Sequence, residues 1–248
     1  MNIRIIHEPS EKEAFLILDK DAGLPSAPLY EGDLSAFSLA AKIYPQLLNV
    51  RGQKDVEHGL LHRIDTDTNG LLLIAASQQA YDSLFKSQKE GLFQKYYRAE
   101  VDFISDSPQK LGAFPPLPEK FNLQKKGTFL LESMFRPYGK KGSQVRPVTE
   151  DCGMAARKKS GGRLYKTEIN LMDKGIALCK ISAGYRHQVR CHLSWAGLPV
   201  KNDRIYNPSC LSIREDDAEK KSEEQMKFTA CKITFPDPLT GSLQVFEK

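Results

Sequence analysis

Residues 58–75 read HGLLHRIDTDTNGLLLIA, and this stretch places charged side chains directly before a buried strand. The run from Leu71 to Ala75 is continuously apolar, which is typical of a short strand covered on both faces. Before it, Asn69-Gly70 predicts a tight bend, and Asp65 precedes that bend with Arg63 two residues away. We therefore predict that Asp65 lies at the end of a core strand, where a carboxylate can act on a bound molecule.

Composition limits the kind of protein. The chain has 248 residues, of which 40% are hydrophobic, and no apolar run approaches the roughly 18 residues of a membrane span. Its first residues lack the charged and then apolar layout of a signal peptide, so we predict a cytoplasmic protein without membrane contact. The five cysteines form no Cys-x-x-Cys pair, which indicates free thiols and neither a disulfide framework nor a zinc site. No exposed apolar stripe is evident, and we expect a monomer.

Charge is concentrated in one segment. The net charge is +5, but residues 110–163 hold twelve Lys and Arg against four Asp and Glu, a net charge of +8. This surplus favours a polyanion as partner, although a solvated basic loop would have the same composition. Because the segment 104–163 is rich in Pro and Gly, we interpret it as long connections on a basic surface. A second charged run, at 214–227, is predicted to be a solvated helix or loop.

Hydrophobic patterns along the chain predict a mixture of strands and helices. Strands are predicted at 14–18, 71–75, 94–103, 129–131, 165–171, 176–181, 228–235 and 244–246. Helices are predicted at 35–44, 78–88 and 183–197. In the first helix Ser35 is the expected N-cap, and Leu39 and Ile43 are expected to face the core.

Two of these elements carry candidate site residues. The third predicted strand alternates, which places Tyr97 on the inner face with the apolar residues through Phe103. The last predicted helix projects His187 and Arg190 together from a face away from its apolar residues. Two basic groups beside a helix start favour an anion nearby, although a surface salt-bridge face would give the same pattern.

The sequence Asp65-Thr66-Asp67-Thr68-Asn69-Gly70 has three interpretations. As a calcium loop it fails, because the acid required at position twelve would be Ala76. As an Asp-x-Asp-x-Thr phosphotransferase motif it loosely resembles the haloacid dehalogenase superfamily, with Asp65 as nucleophile, Asp67 as acid or base and magnesium bound. However, His62-Arg63 interrupts the expected strand and no later acidic pair completes a metal site, so this hypothesis ranks second.

The third interpretation uses the flanking residues. His62-Arg63-Ile64-Asp65, followed by Thr68-Asn69-Gly70 and a leucine-rich strand, resembles the signature of the RluA-type family of RNA pseudouridine synthases. Further ordered matches to the family are Asp19–Pro25, Lys95–Val101, Gly184–His192, Pro199–Tyr206 and Phe235–Gly241. Several matches in order are more specific than one short motif.

The resemblance implies an isomerisation of uridine to pseudouridine in structured RNA, ribosomal or transfer RNA, without cofactor or metal. Asp65 would be the catalytic carboxylate, Tyr97 would stack on the uracil and help to remove its C5 proton, and Arg190 would pair with Asp65. The remaining site residues would contact RNA: Arg63, His62, Lys95, Arg186, His187 and Gln188. Flipping the base out of its stack costs a few kcal/mol, which contacts from the basic segment would offset.

One departure from the family pattern concerns the start of the last helix. The family's Gly-Arg-Thr-His is Gly184-Tyr185-Arg186-His187 in this chain, so an arginine has moved by one residue. An RNA-binding relative without activity is therefore a second alternative. The presence of Asp65, Tyr97 and Arg190 argues against it.

The implied fold is α+β, with a largely antiparallel bent sheet in two abutting halves and a catalytic cleft between them. We expect one pseudouridine synthase catalytic domain over 1–248, with a basic insertion at about 104–163 and a charged loop at about 214–227. Only Met1 to Glu13 precede the first predicted strand. We therefore expect no separate N-terminal RNA-binding domain.

Overall fold

The computed structural model describes residues 2–104, 111–117, 127–211 and 224–248. The chain divides into two compact units: unit 1 comprises Met1–Tyr96 and Thr229–Lys248, and unit 2 comprises Tyr97–Phe228. Parts of the predicted basic insertion and most of the predicted charged loop lie outside the described residues. The assignment of the whole chain to one catalytic domain stays a prediction.

Unit 1 combines antiparallel strands with two helices. Its elements in chain order are β1 (Ile3–His7), β2 (Phe15–Lys20), α1 (Ala36–Ile43), β3 (Asn69–Ala75), α2 (Gln78–Lys89), the start of β4 (Gln94–Glu100), most of β9 (Phe228–Pro236) and β10 (Leu243–Glu247). The strand order is β1-β2-β3-β9, and β10 pairs with β9. The pairs β1–β2, β2–β3 and β9–β10 are antiparallel, while β3 and β9 are parallel.

The centre of unit 1 is the pair β2–β3, whose register runs from Phe15 opposite Ala75 to Lys20 opposite Gly70. Every residue from Leu71 to Ala75 is fully buried, which confirms the predicted core strand. The glycine of the Thr-Asn-Gly sequence has a structural reason. Gly70 has a φ of 125°, and a Cβ there would overlap the carbonyl oxygen of Ala230 on β9, so only glycine permits this strand pairing.

Unit 2 is built on a long hairpin and a buried helix. Its elements are the end of β4, β5 (Gly127–Tyr138), β6 (Gln144–Val148), α3 (Met154–Lys158), β7 (Tyr165–Leu171), β8 (Ile176–Ile181), α4 (Gln188–Trp195) and α5 (Pro208–Leu211). The strand order is β8-β7-β5-β6, and each of these pairs is antiparallel. All eight residues of α4 are buried.

The strands and helices predicted from the sequence are confirmed in type and approximate place, with five corrections. Asn69 and Gly70, predicted as a tight bend, are the first residues of β3. The last predicted helix begins only at Gln188, so His187 precedes it in a left-handed conformation. The segment 127–148 forms the β5–β6 hairpin, so its interpretation as long connections was wrong. Ile43 is 56% exposed, and α1 instead buries the stripe containing Phe37 and Ala40, because periodicity alone does not choose between two neighbouring apolar stripes. Phe103 is 60% exposed because β4 ends at Glu100, after which the alternation no longer applies.

The fold class is confirmed as α+β with a largely antiparallel sheet. Within the ranges that the structure describes, no helix is both long and apolar enough to cross a membrane.

Candidate active site

Asp65 occupies a tight turn immediately before β3. The amide of Thr68 donates to the carbonyl oxygen of Asp65 at 3.0 Å, which closes the turn. The side chain of Asp65 is half-buried, whereas those of Thr66 and Asp67 are exposed. The predicted position of Asp65, at the end of a core strand, is therefore confirmed.

The residues on either side of Asp65 are fixed by the loop that follows β2. The carbonyl oxygen of Thr66 accepts from Lys20 Nζ at 3.0 Å and from the amide of Gly23 at 2.8 Å. The Ser26 hydroxyl donates to the carbonyl oxygen of Ile64 at 2.7 Å and accepts from its amide at 3.1 Å. Four hydrogen bonds thus hold the backbone around Asp65, and two of them come from Lys20 and Gly23 in the sequence match at 19–25.

Lys20 supplies a buried positive charge beneath this turn. Its side chain is fully buried, and Nζ also donates to the carbonyl oxygens of Leu24 at 2.6 Å and Asp21 at 2.9 Å. Burial lowers the pKa of Lys20 to about 8, against the carboxylates of Asp65 and Asp67, which act to raise it. Lys20 therefore remains largely charged at neutral pH and places a buried cation near the carboxylates of Asp65 and Asp67. Sequence analysis assigned no site role to this lysine, although its place in the 19–25 match was a signal.

Three buried polar atoms near Asp65 lack a hydrogen-bond partner in the described part of the chain: His62 Nδ1, Thr68 Oγ1 and Asn69 Oδ1. His62 Nε2 accepts from the amide of Leu73 at 3.3 Å, which assigns the ring proton to Nδ1. Burial, and then the charge of Lys95, holds the pKa of His62 well below 6.5, so the ring is neutral at physiological pH. Buried polar groups in proteins are usually paired, so these unpaired atoms at positions 62, 68 and 69 are unusual.

The three RNA-contact residues predicted in unit 1 differ in exposure. Arg63 is exposed, with Nη1 at 3.1 Å from Oε1 of Glu57. His62 is only 9% exposed and Lys95 only 4%, with Lys95 Nζ at 5.0 Å from the ring centre of Phe93. Direct contact of His62 and Lys95 with RNA is therefore not favoured, because their burial suits a supporting role. For Arg63 the contact stays a prediction.

Tyr97 is the first residue of unit 2. Its side chain is 7% exposed, which confirms the predicted inward orientation. The ring stacks on that of Phe228, with ring centres 5.1 Å apart and an angle of 9° between the planes. One face of Tyr97 is thus covered by protein, and stacking of the other face on a base stays a prediction.

Arg190 on α4 forms a buried ion pair that the sequence analysis did not identify. Its Nε and Nη2 donate to the two carboxylate oxygens of Asp203 at 2.7 and 2.8 Å, and the side chains are 3% and 0% exposed. The amides of Ile205 and Tyr206 donate to Asp203 Oδ1 at 2.9 and 3.0 Å. The anion expected near the helix start therefore includes Asp203, and the surface salt-bridge alternative is wrong. Asp203 lies in the 199–206 sequence match, but its spacing in the sequence did not predict which residue it contacts.

The remaining predicted contact residues lie at the start of α4. Gln188 is buried: its Nε2 donates to the carbonyl oxygen of Lys166 and to Thr167 Oγ1, and its Oε1 accepts from the amide of Tyr185. These internal bonds favour a structural role over RNA contact for Gln188. His187 is half-buried in a left-handed conformation, with Nδ1 at 3.1 Å from the hydroxyl of Tyr206. RNA contact by His187 stays a prediction.

Arg186 is exposed, and its guanidinium group is tied to the β5–β6 turn. Nη1 donates to the carbonyl oxygen of Gly142 at 3.0 Å, and Nη2 to that of Ser143 at 2.7 Å. The arginine displaced by one residue from the family position therefore has a defined place in this fold. Its predicted contact with RNA stays a prediction.

The catalytic residues predicted from the sequence fall in both units. Asp65 belongs to unit 1, and Tyr97 and Arg190 belong to unit 2. Their meeting in one cleft, and the pairing of Arg190 with Asp65, therefore stay predictions. Among the described residues no group of three or more His, Cys, Asp or Glu side chains is placed to hold a metal ion.

Comparisons with known proteins agree with this assignment of motifs. A family model described as RNA pseudouridylate synthase matches residues 14–195. The ribosomal large subunit pseudouridine synthase D of Neisseria meningitidis serogroup A is 24% identical over 263 residues, which cover 99% of this chain and 60% of that protein. The tRNA pseudouridine(31) synthase of Saccharomyces cerevisiae is 25% identical over 229 residues, covering 88% of this chain and 48% of that protein. The chain thus spans about half to 60% of the length of these two relatives.

A solved structure shares the fold. Human RNA Pseudouridylate Synthase Domain Containing 1 superimposes with a TM-score of 0.65 at 17% identity, covering 100% of this chain and 83% of that one. The family match includes the Asp65 turn, β4 and α4, and it favours neither the phosphotransferase hypothesis nor the inactive relative. The chain therefore belongs to the RluA-type family of RNA pseudouridine synthases.

Proposed function

We propose that this protein converts specific uridines to pseudouridine in structured RNA, with Asp65 as the catalytic carboxylate. The observation that carries the proposal is the Asp65 turn inside the family match, held by Lys20, Gly23 and Ser26 at the end of a buried strand. A carboxylate whose backbone is held on both sides is positioned before the substrate arrives, which is what catalysis by a nucleophile requires.

The reaction rearranges the nucleoside without changing its composition. The bond between N1 of uracil and C1′ of ribose breaks, a bond between C5 and C1′ forms, C5 loses a proton and N1 gains one. Asp65 attacks either the uracil ring or the ribose anomeric carbon, and Tyr97 stacks on the uracil and assists removal of the C5 proton. No atom or electron is gained or lost overall, so the reaction needs no external oxidant, reductant or co-substrate.

Charge around the carboxylate supports this role. Lys20 places a buried cation under the turn. Burying a charge costs free energy unless the charge is paired and hydrogen-bonded, so a carboxylate close to this lysine is favoured. We propose that Arg190, oriented by Asp203, pairs with Asp65 and keeps it ionised and aimed. The unpaired oxygen atoms of Thr68 and Asn69 are the candidates for hydrogen bonds with the flipped nucleotide.

The substrate we propose is ribosomal or transfer RNA. The two classes of RNA appear in the names of the relatives, a ribosomal large subunit synthase and a tRNA synthase. A base within a folded RNA must leave its stack to reach an active site, and stacking on an aromatic side chain returns about 1–3 kcal/mol per base. Tyr97 is the candidate for that contact.

The test is pseudouridine mapping of total RNA from cells with and without the gene. We expect one or a few sites to disappear, to return with the wild-type gene, and to stay absent with Asp65→Asn. The matched control is Asp67→Asn in the same turn, which should restore the sites, whereas the phosphotransferase hypothesis requires Asp67.

With purified protein, the Asp65→Asn rate should fall by roughly a thousandfold or more, the usual result of removing a nucleophile. An unchanged RNA map in cells that express the protein would contradict the proposal and favour the inactive RNA-binding relative. Loss of activity in EDTA would favour the metal-dependent alternative.

A further inference from the structure

The tip of the β5–β6 hairpin carries an unusual concentration of positive charge. Lys140 and Lys141 are exposed in the turn between the strands, and Arg186 adds a third cation through its bonds to the carbonyl oxygens of Gly142 and Ser143. In the described part of the chain, no carboxylate lies within ion-pair distance of these three side chains. We call Gly139–Ser143 together with Arg186 the basic tip.

The backbone of the basic tip is held in one conformation. The amide of Gly142 donates to the carbonyl oxygen of Gly139, and that of Ser143 to the carbonyl oxygen of Lys140, both at 3.1 Å. Lys141 has a φ of 53°, in the left-handed region that side-chain-bearing residues seldom adopt. The guanidinium group of Arg186 then donates to the carbonyl oxygens of the next two residues, Gly142 and Ser143. A strained residue held by its surroundings is often part of a functional site.

Two further positive charges lie next to each other on the paired strands below the turn. Arg136 on β5 lies opposite Arg146 on β6, and both guanidinium groups approach the ring of Tyr138, at 5.2 and 4.2 Å. Like charges directly opposite each other destabilise an antiparallel pair. No carboxylate among the described residues pairs with either arginine. Arg146 is buried, and its guanidinium donates to the carbonyl oxygens of Leu111, Gly112 and Val145, so it stabilises the hairpin stem from within. The cations available to an anionic partner are therefore those of the basic tip, with Arg136 beside them on β5.

We infer that the basic tip binds the phosphate backbone of the RNA substrate, with Arg186 fixing the turn so that Lys140 and Lys141 are presented together. This inference rests on the proposed function. A guanidinium group has five N–H donors, so two bonds to carbonyl oxygens leave donors and the full charge of Arg186 for a phosphate. The arginine that is displaced by one residue from the family pattern thus supports the turn of the hairpin.

The test measures binding of fluorescently labelled bulk transfer RNA by the Asp65→Asn protein at increasing salt. Phosphate contacts do not depend on sequence, so bulk RNA reports them. Each contact contributes roughly 0.7 to 0.9 to the slope of log affinity against log salt. We expect Lys140→Gln/Lys141→Gln to reduce the slope by about 1.5 and to weaken binding at low salt severalfold. Arg186→Gln should also weaken binding.

The matched control is Lys42→Gln/Lys86→Gln, which removes two exposed lysines from unit 1 and should leave the slope unchanged. Equal slopes for the tip and control variants would overturn the inference. Competition by poly-glutamate as strong as that by RNA, at the same charge concentration, would overturn it in favour of an acidic protein partner. If wild-type protein forms pseudouridine while the tip variants bind normally, this inference fails but the proposed function stands; absence of pseudouridine contradicts the function itself.

Discussion

The two charged side chains at the centre of the proposed chemistry are positioned in opposite ways. Asp65 in unit 1 is half-buried, and the bonds from Lys20, Gly23 and Ser26 act on the backbone of its neighbours. Arg190 in unit 2 is buried, and a two-bonded ion pair with Asp203 fixes its side chain directly.

This difference follows from what each group is proposed to do. The hydrogen bonds at the Asp65 turn fix the backbone on both sides of the reacting carboxylate, so its position is set before the substrate binds. An arginine that only supplies charge can give two nitrogens to a partner and keep its orientation. The first arrangement depends on hydrogen bonds to main chain, and the second on a buried charge pair, so the two should respond differently to substitution.

The largest effect is expected where the ion pair of unit 2 is broken. Asp203→Asn leaves Arg190 buried without its counter-charge, which should lower the free energy of unfolding by about 3–5 kcal/mol. Urea unfolding followed by circular dichroism measures this. The control Glu90→Gln removes an exposed pair with Lys86 and should cost at most a few tenths of a kcal/mol. Similar results for the two variants would show that the buried pair contributes little.

The pH dependence of stability tests the buried charge of unit 1. The pKa of Lys20 is lowered to about 8 in the folded protein from 10.5 in a free side chain. Because the unfolded chain then binds more protons between these values, this residue makes stability rise from about pH 8 to pH 10.5 and contributes nothing favourable below pH 8. The full change is on the order of 3 kcal/mol.

Urea unfolding of wild type and Lys20→Met between pH 7.5 and 10 measures this effect. The free energy of unfolding of wild type should rise relative to that of Lys20→Met as the pH increases. The exposed Lys42→Met control should follow the wild-type profile. If Lys20→Met does not fold, the chemical shift of Lys20 Cε in wild type gives the pKa directly. A midpoint near 10.5 would mean that the three hydrogen bonds of Lys20 Nζ and the nearby carboxylates compensate its burial.

A smaller effect is expected from the backbone support of Asp65. Ser26→Ala removes both bonds to Ile64 and leaves buried main-chain groups unpaired, at a cost of about 1–3 kcal/mol. The control Ser77→Ala removes the N-cap hydrogen bond of α2, which follows the opposite end of β3 from Asp65, and should cost about 1 kcal/mol. Only Ser26→Ala should slow pseudouridine formation by folded protein. Equal rates for the two would show that Asp65 is positioned without this contact.

Much of the fold could be predicted because local patterns are strong in this chain. The run Leu71–Ala75 and the alternation around Tyr97 determine which side chains are buried, and Ser35 marks the start of a helix. Predictions failed where a pattern had two readings: the apolar stripe of α1, and the basic segment that folds into the β5–β6 hairpin. Composition reports charge and turn residues, but it does not report strand pairing over a long hairpin.

The sequence by itself determined the candidate catalytic carboxylate, its place before a core strand and the family motifs, because these depend on residue type and short spacing. Only the tertiary structure decided the partners. Lys20 reaches Thr66 across 46 residues, and Arg186 reaches Gly142 across 44. Arg190 meets Asp203 only because the chain after α4 folds back over it. Which charges meet depends on how distant segments pack, and burial then sets the strength of those pairs and the pKa of Lys20.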